Sequence, residues 1–252
     1  MILDQLIRAA VRRVAELPPA GGESVERDRH FSLLDALGRQ EGQNAIIAEI
    51  KYASPSRGVI REDRDLPGLA ASLASAGCAA LSVLTEPHFF YGSPEYIPAV
   101  RSAVQVPVLR KDFIIDERQL AESRRLGADA VLLIAAVLGE GLPRMVDAAN
   151  AYGLEPLVEV HTAAEADAVL ETDTRMVGIN NRDLATLRID RSATRQLAPL
   201  LRGAGMAVIS ESGFSVPDDL REFRDMVDGF LIGSAIMAAD EPASALEGFV
   251  FS

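Results

Sequence analysis

Eight short runs of β-branched and apolar residues, separated by longer stretches of helical periodicity, constrain this chain more than any other feature. They span residues 45–50, 80–84, 106–109, 130–134, 155–160, 176–179, 207–209 and 229–232. Near-continuous apolar runs of this length fit strands buried on both faces, which occur in parallel sheets whose crossovers are helices. The intervening segments, for example 116–126, 140–152 and 163–170, carry apolar residues at helical spacing, and Gly77, Gly127 and Gly153 are the clearest helix stops. Eight such units in about 200 residues fit a closed (β/α)8 barrel, the TIM barrel of the α/β class, better than an open sheet. No break in composition and no linker interrupts them, so residues 1–252 are expected to form one domain.

Residues 1–43 precede the first run and are expected to form an N-terminal helical extension over the bottom or the rim of the barrel. Ile2, Leu3, Leu6, Ile7, Ala10, Val11 and Val14 mark one face of an amphipathic helix, and residues 18–23 read as the loop that follows it. The apolar stripe is narrow and punctuated by Arg8, Arg12 and Arg13, which favours capping the barrel over joining a second subunit. The segment lacks the apolar core and cleavage site of a secretory signal, and no stretch approaches the ~18 apolar residues of a membrane span. A soluble, cytoplasmic protein with no membrane partner is expected.

With 37 acidic against 25 basic residues the formal net charge is -12. That argues against a nucleic-acid or anionic-membrane binder and requires any anionic ligand to find a locally positive pocket. The single Cys78 allows no intramolecular disulfide and reads as a small buried hydrophobe. His30, His88 and His161 are not spaced as a metal triad, so no metal is expected.

In this fold the chemistry sits at the C-terminal ends of the strands. There the first run ends in Glu49 and Lys51, the third in Arg110, Lys111 and Asp112, and the fifth carries Glu159. The sixth ends in Asn180, Asn181, Arg182 and Asp183, and the seventh in Ser210, Glu211 and Ser212. Alternation points Glu49, Lys51 and Lys111 into the barrel, where they form either an acid–base constellation or a structural layer of ion pairs. Ser212 and Gly213 after the seventh run, and Gly233 and Ser234 after the eighth, stand where such barrels commonly hold phosphate, although ordinary turns use the same residues. The polar stretch from Ser54 through Arg57 to Asp65 is either a lid over the mouth or a solvated loop. Phe89, Phe90 and Phe113 either hold an aromatic ring or belong to the core.

Taken together, the segments Ile47-Ala-Glu-Ile-Lys51 with Ser54-Pro-Ser56, Ser82-Val-Leu-Thr-Glu86-Pro87, Val108-Leu-Arg-Lys-Asp-Phe-Ile-Ile115, Leu157-Val-Glu-Val-His161, Gly178-Ile-Asn-Asn-Arg-Asp-Leu184 and Ile209-Ser-Glu-Ser-Gly213 resemble, in order, the signatures of the indole-3-glycerol-phosphate synthase family. The resemblance runs from the first helix to Gly233 and Ser234. It implies a carbon–carbon lyase of tryptophan biosynthesis that converts 1-(2-carboxyphenylamino)-1-deoxyribulose 5-phosphate into indole-3-glycerol phosphate, losing carbon dioxide and water.

The resemblance further implies Lys111 as general acid on the substrate carbonyl and Lys51 beside the substrate carboxylate. Glu159 becomes the main base or electrostatic partner, Glu49 a proton-transfer or lysine-orienting carboxylate, and Asn180 and Glu211 holders of hydroxyls and developing charge. Phosphate falls to Gly213, Gly233 and Ser234 with Ser54 and Arg182, Ser212 binds substrate beside them, and the anthranilate ring falls to Phe90 and Phe113. The partner implied is this phosphorylated small molecule, with no cofactor. A monomer is expected, and association with another pathway enzyme stays open. Tyr52, His88 and Arg118 depart from the family's usual residues beside these motifs, which leaves a substituted anthranilate open as substrate. Another phosphate-binding barrel enzyme, a sugar-phosphate isomerase of the same pathway, would not need Glu49, Lys51, Lys111 and Glu159 together. A barrel kept only as a binding subunit would not need its acid–base residues.

Overall fold

Each of the eight apolar runs forms a strand, and the eight close on themselves. The computed structural model describes residues 2–19, 31–38, 42–63, 65–183 and 186–252. Among these, β1 (Ile46–Ile50) leads into a small antiparallel ribbon, β2 (Ala53–Ser54) with β3 (Gly58–Val59). There follow β4 (Ala80–Leu84), β5 (Val108–Lys111), β6 (Ala130–Ile134), β7 (Glu155–Val160), β8 (Met176–Asn180), β9 (Ala207–Glu211) and β10 (Gly229–Ile232). The barrel runs β1, then β4 to β10 in order, all parallel. It closes where Ile46, Ile47 and Ala48 pair with Phe230, Leu231 and Ile232. The TIM-barrel reading of the sequence therefore holds.

Helices cover the outside and the two ends: α1 (Ile2–Glu16), α2 (Leu33–Ala36), α3 (Leu66–Ser75), α4 (Tyr96–Ala103), α5 (Glu117–Leu126), α6 (Ala135–Leu138), α7 (Leu142–Ala151), α8 (Ala163–Leu170), α9 (Ser192–Gly203), α10 (Ser234–Met237) and α11 (Pro242–Val250). Asp116 and Thr162 cap α5 and α8 by accepting N–H groups of the first turn, and Gly127 ends α5 at φ 107°. No helix among the described residues is long and apolar enough to cross a membrane. Cys78 is buried, and burial pushes its thiol up to about 12.

Strand alternation divides the apolar side chains into two layers. Val108, Val131, Val158, Val177, Val208 and Phe230 face the helices, while Ile47, Leu109, Leu132, Leu157, Ile209 and Leu231 fill the barrel. Several boundaries differ from expectation, β9 for one running on through Ser210 to Glu211. The third strand begins at Val108, not residue 106, because Pro107 has no N–H to give a ladder, and it continues through Arg110 and Lys111. The helix expected over 140–152 is preceded by α6 and a 3-10 turn (Gly139–Gly141) and starts at Leu142, where Pro143 fits the first turn of a helix.

The N-terminal extension covers both ends of the barrel. Leu6 and Ala10 of α1 pack into the cluster that contains Phe113 and Ile134 at the C-terminal mouth. There the Arg13 guanidinium grips both oxygens of Asp112, at 2.7 and 2.8 Å. Leu33 and Leu37 lie at the opposite end, with Ala45 and Ala80. The expected 18–23 loop lies outside the described residues from residue 20 onward, as does His30.

At that lower end, Glu155 opens β7 and accepts from Ser32 Oγ at 2.7 Å, Leu33 N–H at 2.6 Å and Leu34 N–H at 3.1 Å. A carboxylate at orphaned first-turn donors seats α2. Glu155→Ala is expected to cost about 2 kcal/mol, read as a fall in Tm of about 4–8 °C, with kcat unchanged because the site lies at the other end. A Tm equal to the parent's would show that α2 is seated by its leucines alone.

Candidate active site

Period-two alternation places one charged residue above each of four apolar ones. Ile47, Leu109, Leu157 and Ile209 belong to the barrel interior, and two residues further along the same strands come Glu49, Lys111, Glu159 and Glu211. These are barrel strands one, three, five and seven, the alternate strands that supply one interior layer of this fold. Lys111 Nζ lies 2.6 Å from Glu211 Oε2, 3.4 Å from Glu159 Oε2 and 3.8 Å from Glu49 Oε2. Lys51, just past β1, puts its Nζ 2.5 Å from Glu49 Oε1.

Two ammonium groups thus face three buried carboxylates. Burial disfavours the charge on Lys111, but Glu211, Glu159 and Glu49 together outweigh it and raise the ammonium well above its ordinary range. Burial likewise penalises Glu49, and Lys51 with Lys111 reverses the sign, so Glu49 is held low. Glu211 goes the other way. Burial, reinforced by Glu159 and Glu49, pushes it up to about 7 despite Lys111. Protonating that one carboxyl leaves two positive and two negative charges, which removes the uncompensated buried charge. Its Oε1 is buried without a hydrogen-bond partner among the described residues.

Two glycines make room for the carboxylates. A Cβ on Gly178 would strike the Glu211 carboxylate, and one on Gly233 would strike that of Glu49. The neighbouring strands must therefore be bare at these points.

Alternation also sorts the third strand's charges. Lys111 enters the barrel, while Arg110 turns to Glu122 at 2.8 Å and Ser123 at 3.1 Å on α5. Asp112 accepts from Arg13, from Thr85 Oγ1 at 2.6 Å and from Arg110 at 3.2 Å. Burial opposes its charge, but Arg13 and Arg110 win and hold it well below the usual carboxylate range.

Every residue expected from the sequence to act on or bind substrate lines a single cavity at the barrel mouth: Glu49, Lys51, Ser54, Phe90, Lys111, Phe113, Glu159, Asn180, Arg182, Glu211, Ser212, Gly213, Gly233 and Ser234. Arg57 lines it too, at the tip of the β2–β3 ribbon, which is a short hairpin in place of an irregular loop. Arg182 is half-buried and donates to the Leu187 carbonyl at 3.1 Å; burial first, and then nearby Arg57, lowers its guanidinium. Two cations at one rim make a locally positive pocket in an acidic protein. Phe89 lies outside the lining, packed against the interior cluster. His161 is also outside, with Nδ1 2.7 Å from the Asn180 carbonyl and Nε2 3.5 Å from Asp183.

Sequence reading missed several lining residues, among them Ile2 and Leu6 of α1, and Leu187 and Ile189 from the connection after β8. The apolar stripe of α1 signalled a buried face but not what it covers. With Phe90, Phe113, Leu132, Ile134 and Leu231, the first two give the cavity an apolar wall facing α1.

Comparison with known proteins is consistent along the whole chain. A family model described as indole-3-glycerol phosphate synthase matches residues 6–249. The chain is 44% identical over 241 residues to an indole-3-glycerol phosphate synthase of Carboxydothermus hydrogenoformans, covering 94% of this chain and 89% of that one. Its identity to the protein of the same name from Methanopyrus kandleri is 39%, covering 98% and 97%. Among solved structures, the tryptophan synthase subunit alpha of Legionella pneumophila superposes with a TM-score of 0.62 at 11% identity, covering 85% of this chain and 94% of that one. A thiamine phosphate pyrophosphorylase from Pyrococcus furiosus gives 0.60 at 17%, covering 82% and 94%. These two likenesses speak for the barrel alone.

The raised Glu211 has a consequence for stability with a definite sign. A carboxyl near 4.5 when unfolded and near 7 when folded binds more protons in the folded state between those values. Its contribution is full below about pH 4.5 and is lost as pH rises through about 7. Glu211→Gln should flatten that part of the curve, so the difference in Tm between variant and parent should shift in the variant's favour from pH 5 to 7.5. A constant difference across this range would show that Glu211 stays ionised.

Proposed function

This chain belongs to the indole-3-glycerol phosphate synthase family and has that lyase activity of tryptophan biosynthesis; we propose that its substrate is 1-(2-carboxyphenylamino)-1-deoxyribulose 5-phosphate and that Lys111 drives the ring closure. The observation that carries this reading is a lysine held among three carboxylates, between an apolar wall and an arginine-bearing rim.

The anthranilate ring lies on Phe90 and Phe113. The phosphate lies at Ser212, Gly213, Gly233 and Ser234, with Ser54 and Arg182 closing over it. Lys51 meets the substrate carboxylate while Glu49 holds its ammonium in place. Lys111 gives a proton to the ketone oxygen as the ring carbon bearing the carboxylate attacks the carbonyl carbon, forming the new carbon–carbon bond. Breaking the bond to the carboxylate releases carbon dioxide and restores the aromatic ring. A second proton converts the new hydroxyl into departing water, and Glu159 removes a proton from the neighbouring carbon to complete the indole. Two protons enter and one leaves, and the negative charge of the lost carboxylate balances the difference. Asn180 and Glu211 hold the hydroxyls and the developing charge. Glu211, with its high proton affinity and its contact to Lys111, suits the return of a proton to that lysine.

The same reading takes residues 1–252 as one domain, with 1–43 as its N-terminal extension, acting as a cytoplasmic monomer. The monomer is supported by Leu6 and Ala10 of α1 packing on the chain's own barrel.

A continuous indole-fluorescence assay with the proposed substrate tests the assignment. The parent should turn over, Lys111→Ala should lose about 10²–10⁴ in kcat, as expected for removing a general acid, and Glu159→Gln should lose a comparable factor. Substrate binding with no indole product from the parent would sink the proposed chemistry. Full turnover in Lys111→Ala would move the acid elsewhere.

A further inference from the structure

Next to the catalytic Asn180 stands a second asparagine that does not itself line the cavity, yet is fully buried and makes four side-chain hydrogen bonds. Asn181 Nδ2 donates to Ser210 Oγ at 3.1 Å, and Ser210 Oγ lies 2.7 Å from Thr194 Oγ1. Thr194 Oγ1 donates back to Asn181 Oδ1 at 2.8 Å. The Thr194 N–H, in the first turn of α9, also donates to that oxygen, at 3.3 Å. The three side chains form a closed ring that fixes which way the amide faces, because a flipped amide would set its N–H₂ against the Thr194 N–H. Nδ2 is left with one hydrogen, and it goes to the Ser212 carbonyl at 3.0 Å.

Ser212 needs such a partner. Its φ is +66°, in the left-handed region that side-chain-bearing residues avoid, and Gly213 follows at +92°. The Ser212 carbonyl and the Gly213 N–H belong to one planar trans peptide, so they point in opposite directions. Drawing the carbonyl inward to Asn181 turns the Gly213 N–H outward, and that N–H has no protein acceptor among the described residues.

We propose that Asn181 is a positioning residue, holding the Ser212–Gly213 peptide in its left-handed turn so that the Gly213 N–H faces the substrate phosphate. This rests on the assignment of the phosphate to that end of the cavity. Asn181 itself touches no substrate; it acts through Ser212 and ties the ends of β8 and β9 and the start of α9 into one support.

The test is a double-mutant cycle. Asn181→Ala should raise both KM for the phosphorylated substrate and the competitive inhibition constant of inorganic phosphate by about tenfold, as for loss of a hydrogen bond to a charged group, with kcat within about threefold. Ser212→Gly in the same protein should recover most of that loss, because glycine takes the left-handed turn without help. The recovery is measured against Ser212→Gly alone, so any share of the serine hydroxyl cancels. A role in folding alone would lower Tm without the split between KM and kcat and without the rescue. If the Asn181→Ala protein does not fold, Asn181→Ser is taken through the same cycle. A parent that inorganic phosphate does not inhibit overturns the phosphate assignment, and this inference with it. A parent that is inhibited beside an Asn181 variant with unchanged constants, or one not rescued by Ser212→Gly, overturns the inference alone.

Discussion

Lys111 inside its ring of carboxylates is the interaction around which the upper half of this barrel is arranged. Four alternate strands each deliver one charged side chain to the same interior layer. A buried layer of that kind persists only if the charges nearly cancel. Lys51 joins from beyond the end of β1, and the high proton affinity of Glu211 supplies the remaining balance. The backbone yields to the same demand, with glycine at positions 178 and 233 where a side chain would displace a carboxylate. Below this layer the barrel is hydrocarbon, and above it the cavity divides into an apolar wall and a cationic rim. The position of the charges along the strands therefore sets where chemistry stops and packing begins.

The N-terminal extension is built into this arrangement at both ends. Asp112, one residue past Lys111 and pointing to the other side of the strand, is held by Arg13 of α1 and by Arg110. The helix that supplies part of the apolar wall is thus fastened beside the lysine it covers. Glu155 does the corresponding work at the lower end, where α2 closes the barrel floor.

Much of this was open to sequence reading, for identifiable reasons. Strands buried on both faces leave short, β-branched apolar runs, and eight of them alternating with helical stretches made the strands and their order visible. The charged residues at the ends of those runs were visible because they interrupt hydrocarbon, and the period of two said which faced inward. Less legible was anything that depends on pairing across long stretches of chain. Arg110 and Lys111 read as lying past the third strand because they are charged, though both belong to it. Nothing local in Asp112 announces its partner 99 residues earlier. The lining by Leu187 and Ile189 follows from the path of an irregular connection, which leaves no periodic mark. Asn181 was in view within its motif, but its use appears only once β8, β9 and α9 are side by side.

The distances in sequence between these partners also order events in time. During synthesis α1 emerges about 100 residues before Asp112, and α2 about 120 residues before Glu155. At roughly 5–20 residues per second the apolar face of α1 waits on the order of 5–20 s for its seat. The first strand waits longest of all, since one of its two neighbours, β10, is made last. Until then β1 can pair on one edge only, with β4, so the nascent barrel keeps an open strand edge through most of its synthesis, and it is the last strand made that removes it.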